Sequence, residues 1–173
     1  MKTTLILVLL LSLLSPCRAA DVPRGAQAPI STASKASPKP GDADFPTPAP
    51  STRHTEKVAA VKSGHYDLVL IGDSITHSLG ELGGKYEPLK AVWERHYAPR
   101  NAINLGHNGY STEQILWNLQ DGELEFVQSP KVAILLIGTN NGDDRHFAKV
   151  HTPEEIFAGT QAIVELIKQR HPT

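Results

Sequence analysis

The chain is almost without cysteine. It has one, Cys17, among 173 residues. Cys17 sits in what reads as a removable leader, so the mature chain should have no disulfide, thiol nucleophile or thiolate metal site. A surplus of one charge is also missing. Seventeen Lys and Arg against eighteen Asp and Glu give a formal net charge of -1. That balance gives no electrostatic case for nucleic acid or an anionic membrane surface as partner. Long apolar runs are lacking too. The most aliphatic stretch, Leu5 to Leu14, is shorter than the ~20 residues a membrane-spanning helix needs. No His, Asp or Glu grouping has metal-ligand spacing, so neither a metal nor a cofactor is expected.

What is present falls into three parts. Met1-Lys2, the aliphatic run and the small residues Ser15 to Ala20 read as a secretory signal peptide over residues 1–20, cleaved after Ala19 or Ala20. The protein is therefore expected to be exported, periplasmic or secreted. Pro16 argues against a lipid anchor on Cys17. Residues 21–60 hold seven of the thirteen prolines and one aromatic, Phe45. That composition buries too little apolar surface to offset chain entropy, so it reads as a disordered linker.

Residues 61–173 have a different pattern. Tyr66 to Ile71, Ala102 to Leu105 and Lys131 to Ile137 are apolar runs, each followed by glycine. Such runs suit strands of a parallel sheet buried on both faces. Between them lie helical segments, Pro88 to His96 (Leu89, Val92 and Trp93 at helical spacing) and Ser111 to Leu119. A third starts at Thr152-Pro153-Glu154-Glu155, which combines an N-cap, a first-turn proline and a capping-box glutamate. Ile156, Ile163, Val164 and Ile167 mark its buried face. The alternation predicts an α/β fold with a doubly wound parallel sheet, of which three βα units are present. A 2-1-3 strand order would leave the apolar third strand at an open edge, a liability for aggregation.

Ligands in such sheets bind outside the carboxyl ends of the strands. The three glycine-bearing turns fall there: Gly72-Asp73-Ser74, Gly106-His107-Asn108-Gly109 and Gly138-Thr139-Asn140-Asn141. Singly, each is explicable as a helix cap or turn. Together they suit acyl transfer, with Ser74 attacking an ester carbonyl. The backbone N–H groups of Ser74 and Gly109 and the Asn140 amide are suitable oxyanion donors.

These stretches, with "DLVLIGDSIT", "WERHYAPRNAINLGHNGYST", "ILWNLQDGELE", "PKVAILLIGTNN" and "TPEEIFAGTQAIVELIKQRHP", resemble the SGNH, or GDSL, serine esterases and lipases. The likeness runs from about Tyr66 onward. It is nearest the branch holding the catalytic subunits of platelet-activating-factor acetylhydrolase and their bacterial relatives. The resemblance implies Ser74 as nucleophile and Ser74, Gly109 and Asn140 as oxyanion hole, with Gly72, Asp73 and Asn141 in support. Asn141 stands where the broad family usually has Asp, and Tyr110 where the branch tends to have an acidic residue.

The family's Asp-x-x-His element, which supplies the general base, is not found after Asn140. Asp144-Arg145-His146 has the wrong spacing. His77 should point along its helix, and His54, His65, His96, His151 and His171 read as surface, cap or pre-sheet residues. His107, and less so His146, are the histidines placed to line a pocket. Two readings follow. In the first, the chain is a fragment of an exported serine ester hydrolase acting on small acyl esters, with acetylated carbohydrate a further option by resemblance. In the second, it is a non-catalytic remnant that binds an ester or glycan.

Overall fold

The computed structural model describes residues 5–8, 32–37, 52–80, 84–144 and 150–172. Four parallel strands make its sheet: β1 (Leu5–Val8), β2 (Leu68–Gly72), β3 (Ala102–Gly106) and β4 (Val132–Leu136), in the order β1-β4-β2-β3. The three strands predicted from apolar runs are β2, β3 and β4, in the expected 2-1-3 order. Register sets Gly72 of β2 beside Gly106 of β3 and Leu136 of β4. The carboxyl ends of all three strands are therefore level, which brings their following turns to one end of the sheet.

Five α-helices and some shorter helical turns complete the described architecture: α1 (Thr52–Ser63), α2 (Ser74–His77), α3 (Glu87–His96), α4 (Thr112–Asn118) and α5 (Pro153–Arg170). α5 begins as its sequence predicts. Thr152 Oγ1 accepts from the Glu155 N–H at 3.3 Å, and Glu155 Oε2 accepts from the Thr152 N–H at 2.9 Å. The core joins Val69, Ile71, Leu105 and Leu135 of the sheet to Val61, Ile115, Leu119, Ile163 and Ile167 of the helices. Each such side chain contributes roughly 1.5–3 kcal/mol by leaving water.

Four expectations need correction. The edge of β4 is not open, because Leu5–Val8 of the expected leader pairs with Val132–Leu135. A short apolar segment can satisfy that row of backbone groups wherever it lies in the chain. The rest of the expected leader lies outside the described residues. Second, residues 52–60 of the expected linker belong to α1, and residues 32–37 are docked against the domain. Ala33 is fully buried, its carbonyl accepts from Thr112 Oγ1 at 2.9 Å, and the Ser37 N–H donates to the Glu113 carbonyl at 3.1 Å. Third, β4 alternates, with Ala133 and Leu135 buried and Val132, Ile134 and Leu136 half-buried. Fourth, α3 buries none of its residues. Trp93 stacks instead on Tyr97, with ring centroids 5.3 Å apart.

The docked segment leaves room for no side chain at Gly159. A Cβ there would stand 2.5 Å from both the Ala33 carbonyl and Thr112 Oγ1. Gly159→Ala is therefore expected to cost about 1–3 kcal/mol by overpacking. Limited proteolysis should show faster cleavage within residues 32–37. An unchanged melt and cleavage pattern would mean that this segment does not pack there.

His171 closes the carboxyl end of α5. Its Nε2–H donates to the Leu124 carbonyl at 2.9 Å, and its Nδ1 lies 3.0 Å from Ser129 Oγ. Burial holds its pKa below the ordinary 6.5. A histidine whose folded pKa is depressed contributes stability above 6.5 that is lost as pH falls below it. Wild type should thus lose more stability than His171→Phe between pH 7.5 and pH 5. Parallel losses in urea titrations would remove His171 as the cause.

Candidate active site

β2 delivers the nucleophile candidate. Its last residue is Gly72, and α2 starts two residues later at Ser74. Asp73 is the N-cap: its Oδ1 accepts from the Ile75 N–H at 2.9 Å. Its Oδ2 is buried without a hydrogen-bond partner, and burial raises the pKa of the carboxyl. Asp73 thus shapes the turn, while Ser74 is only partly covered and Ile75 beside it is 48% exposed.

β3 holds α2 in place. Asn104 Nδ2 donates to the Thr76 carbonyl at 2.8 Å and to the Leu79 carbonyl at 2.9 Å, while its Oδ1 accepts from the Gly106 N–H at 2.8 Å. The turn after β3 then carries Gly109 at φ +70°. That left-handed backbone suits glycine, so the local geometry itself favours this residue. The turn closes with the Tyr110 N–H donating to the His107 carbonyl at 3.3 Å.

The turn after β4 is tied both to this one and to the start of α4. Asn140 Nδ2 donates to the Tyr110 carbonyl at 2.6 Å. That bond engages one of the two amide hydrogens. Asn141 is buried. Its Oδ1 accepts from the Thr112 N–H at 3.0 Å, and its Nδ2 donates to Thr112 Oγ1 and Glu113 Oε2, each at 3.0 Å. Ser74, Gly109 and Asn140 are therefore gathered at one sheet end, with Gly72, Asp73 and Asn141 as its framework.

Among the described residues, no histidine is hydrogen-bonded to the Ser74 hydroxyl, and His146 lies outside them. His107 does not line a pocket, as its sequence position suggested. It is 1% exposed, and its Nε2 lies 2.8 Å from Glu123 Oε1. His54, His151 and His171 are buried rather than solvated. Among the described residues, no group of three or more His, Cys, Asp or Glu could hold a metal ion.

Sequence reasoning missed several partners of this end. Arg53 Nε donates to the Gly106 carbonyl at 2.7 Å, and Nη2 donates to the Asn104 carbonyl at 3.1 Å. His54 Nδ1 meets Glu123 Oε1 at 2.8 Å. These contacts bridge more than fifty residues, so no local pattern announces them. The capping box opening α4 had a signal in Ser111-Thr112-Glu113-Gln114. There the Ser111 N–H donates to Gln114 Oε1 at 2.8 Å.

The chain is similar to known proteins over more than half of its length. The model of the GDSL-like Lipase/Acylhydrolase family matches residues 70–173. Platelet-activating factor acetylhydrolase IB subunit alpha1 of Bos taurus is 34% identical over 119 residues, 69% of this chain and 44% of its own length. The alpha2 subunit of Rattus norvegicus is 35% identical over 121 residues, 70% and 46% respectively. The chain thus spans less than half the length of these curated relatives. A solved structure from Bacteroides fragilis, a candidate acylhydrolase, shares the fold at TM-score 0.53 and 18% identity. It is matched over 70% of this chain and 53% of its own. The chain belongs to the GDSL-like lipase/acylhydrolase family.

Proposed function

We propose that the chain carries the nucleophile and oxyanion side of an exported serine ester hydrolase acting on small acyl esters, acetylated carbohydrate among them. The observation that carries this reading is the stitching of three turns at one sheet end. Asn140 bonds the Tyr110 carbonyl, Asn141 bonds Thr112, and Asn104 bonds the helix that starts at Ser74. Backbone N–H groups of Ser74 and Gly109 and the second hydrogen of Asn140 Nδ2 serve as donors to the developing oxyanion. Donors fixed in advance cost no reorganisation as charge develops. The reading requires a base from outside the described residues to take the Ser74 proton. Export is supported by the leader-like sequence of residues 1–20, whose cleavage would remove the Leu5–Val8 strand and reopen the β4 edge, and the small acyl group by the resemblance alone.

With no base at Ser74 among the described residues, both acylation and deacylation are expected to be slow, so an acyl group once transferred should persist. Incubation with p-nitrophenyl acetate should leave an acetyl group on the peptide containing Ser74, and p-nitrophenyl octanoate should leave much less. Acetylation confined to lysines would contradict Ser74 as nucleophile. Equal transfer of both acyl groups would contradict the small-acyl preference.

A further inference from the structure

A buried carboxylate lies behind the oxyanion turn with no part in the chemistry described so far. Glu123 is 1% exposed and sits at the end of the wide, kinked turn Leu119–Glu123 that continues α4. Its Oε1 receives three donors: His54 Nδ1–H and His107 Nε2–H at 2.8 Å each, and Asn118 Nδ2–H at 3.3 Å. Burial disfavours the ionised carboxyl, but the bonds and charges of His107 and His54 outweigh this and hold its pKa below the usual range. The donors thus meet a carboxylate, and such charge-assisted bonds are roughly twice as strong as neutral ones.

His107 is the first residue of the turn that contains Gly109. Its N–H donates to the Gly72 carbonyl at 2.9 Å, and its ring stacks on Tyr110 with centroids 4.9 Å apart. The Tyr110 carbonyl in turn takes the Asn140 amide. A ring fixed at His107 therefore fixes both ends of the segment 107–110, and with it the direction of the Gly109 N–H. α1 grips the same place with two consecutive residues. Arg53 holds the Gly106 carbonyl directly, and His54 reaches the turn through Glu123. His54 Nε2 is anchored on Asp121 at 3.1 Å, so its imidazole is held at both nitrogens.

We propose that Glu123 is a positioning residue for the reaction, clamping His107 to α1 so that the oxyanion turn is set before substrate arrives. The proposal rests on the serine ester hydrolase reading for its catalytic consequence, but the clamp itself can be read without any reaction. Glu123→Gln keeps the size and removes the charge that organises three donors.

The test uses the full chain, labelled with nitrogen-15. Glu123→Gln should shift the backbone amide signals of His107, Gly109 and Tyr110 and the side-chain amide of Asn140. It should leave α3 and the middle of α5 unchanged. The maximal rate of Ser74 phosphonylation by a small fluorophosphonate should fall about ten- to a hundred-fold, as small misplacements near reacting atoms do. The probe's half-saturating concentration should stay within about two-fold, because a donor fixed for the oxyanion acts on the transition state. His54→Gln leaves the His107–Glu123 bond in place and should show the same signature more weakly, which guards against a Glu123 variant that fails to fold.

If either folded variant melts earlier yet keeps the wild-type amide positions at 107–110, Glu123 is a core polar knot and the inference is overturned. If wild-type Ser74 takes no label even on prolonged incubation with excess probe at pH 9, while the amides shift as stated, the clamp stands and the reading of Ser74 as nucleophile fails.

Discussion

Gly106→Ala is expected to destabilise the protein by about 3 kcal/mol or more, at the upper end of overpacking penalties. A Cβ at this position would stand 2.3 Å from the His77 nitrogen, 2.7 Å from the Thr76 carbonyl carbon and 2.8 Å from the His77 Cα. All three are backbone atoms of α2, so no rotamer change relieves the contact. Either β3 or α2 must move, and α2 carries Ser74. Gly142→Ala is the control, since its Cβ would meet only Ile156 Cδ1, at 3.8 Å. That change should fall within about 0.5 kcal/mol of wild type. Urea midpoints of the three proteins decide the matter. Equal midpoints would mean that α2 does not lie against β3 as described.

Ester hydrolysis by this chain should run about 10⁴-fold or more below an ordinary enzyme turning over at ~10 s⁻¹. On the proposed reading Ser74 shares its sheet end with oxyanion donors, but no proton acceptor is hydrogen-bonded to it among the described residues, and serine hydroxyl is a poor nucleophile unaided. Loss of one member of a serine triad leaves only the help of the oxyanion hole and binding. Initial rates with p-nitrophenyl acetate at pH 8 should therefore sit barely above buffer, and Ser74→Ala should remove the remainder. A rate near 10 s⁻¹ abolished by Ser74→Ala would reveal a base that the described residues do not show. A rate that survives Ser74→Ala would place the chemistry elsewhere.

The sheet was legible because its strands are short apolar runs ended by glycine, which local sequence records directly. The start of α5 was legible for the same reason, since Thr152, Pro153 and Glu155 are contiguous. The N-terminal side was misread because proline content describes the unfolded chain's preferences and not the grooves a segment can occupy. Ala33 is buried against Thr112, seventy-nine residues away. α1 went unrecognised in part because its first turn is polar, and its anchors, Arg53 and His54, find partners only in the folded state. At the site, Ser74, Gly109 and Asn140 were legible as residue types in ordered turns. Their setting was not, because Glu123 reads in sequence as one more acidic residue after Gly122. Burial and its two histidines distinguish it, and both are properties of the fold.

The assignment of Ser74 as nucleophile within a preformed oxyanion hole is tested most directly by mapping where a fluorophosphonate attaches. The chain is incubated with the probe beside Ser74→Ala and Asn140→Ala, digested, and its peptides are weighed. One adduct on Ser74, absent in Ser74→Ala and formed about a hundred-fold more slowly in Asn140→Ala, is the expected result. Labelling at another residue, or at Ser74 with equal speed in Asn140→Ala, would contradict it.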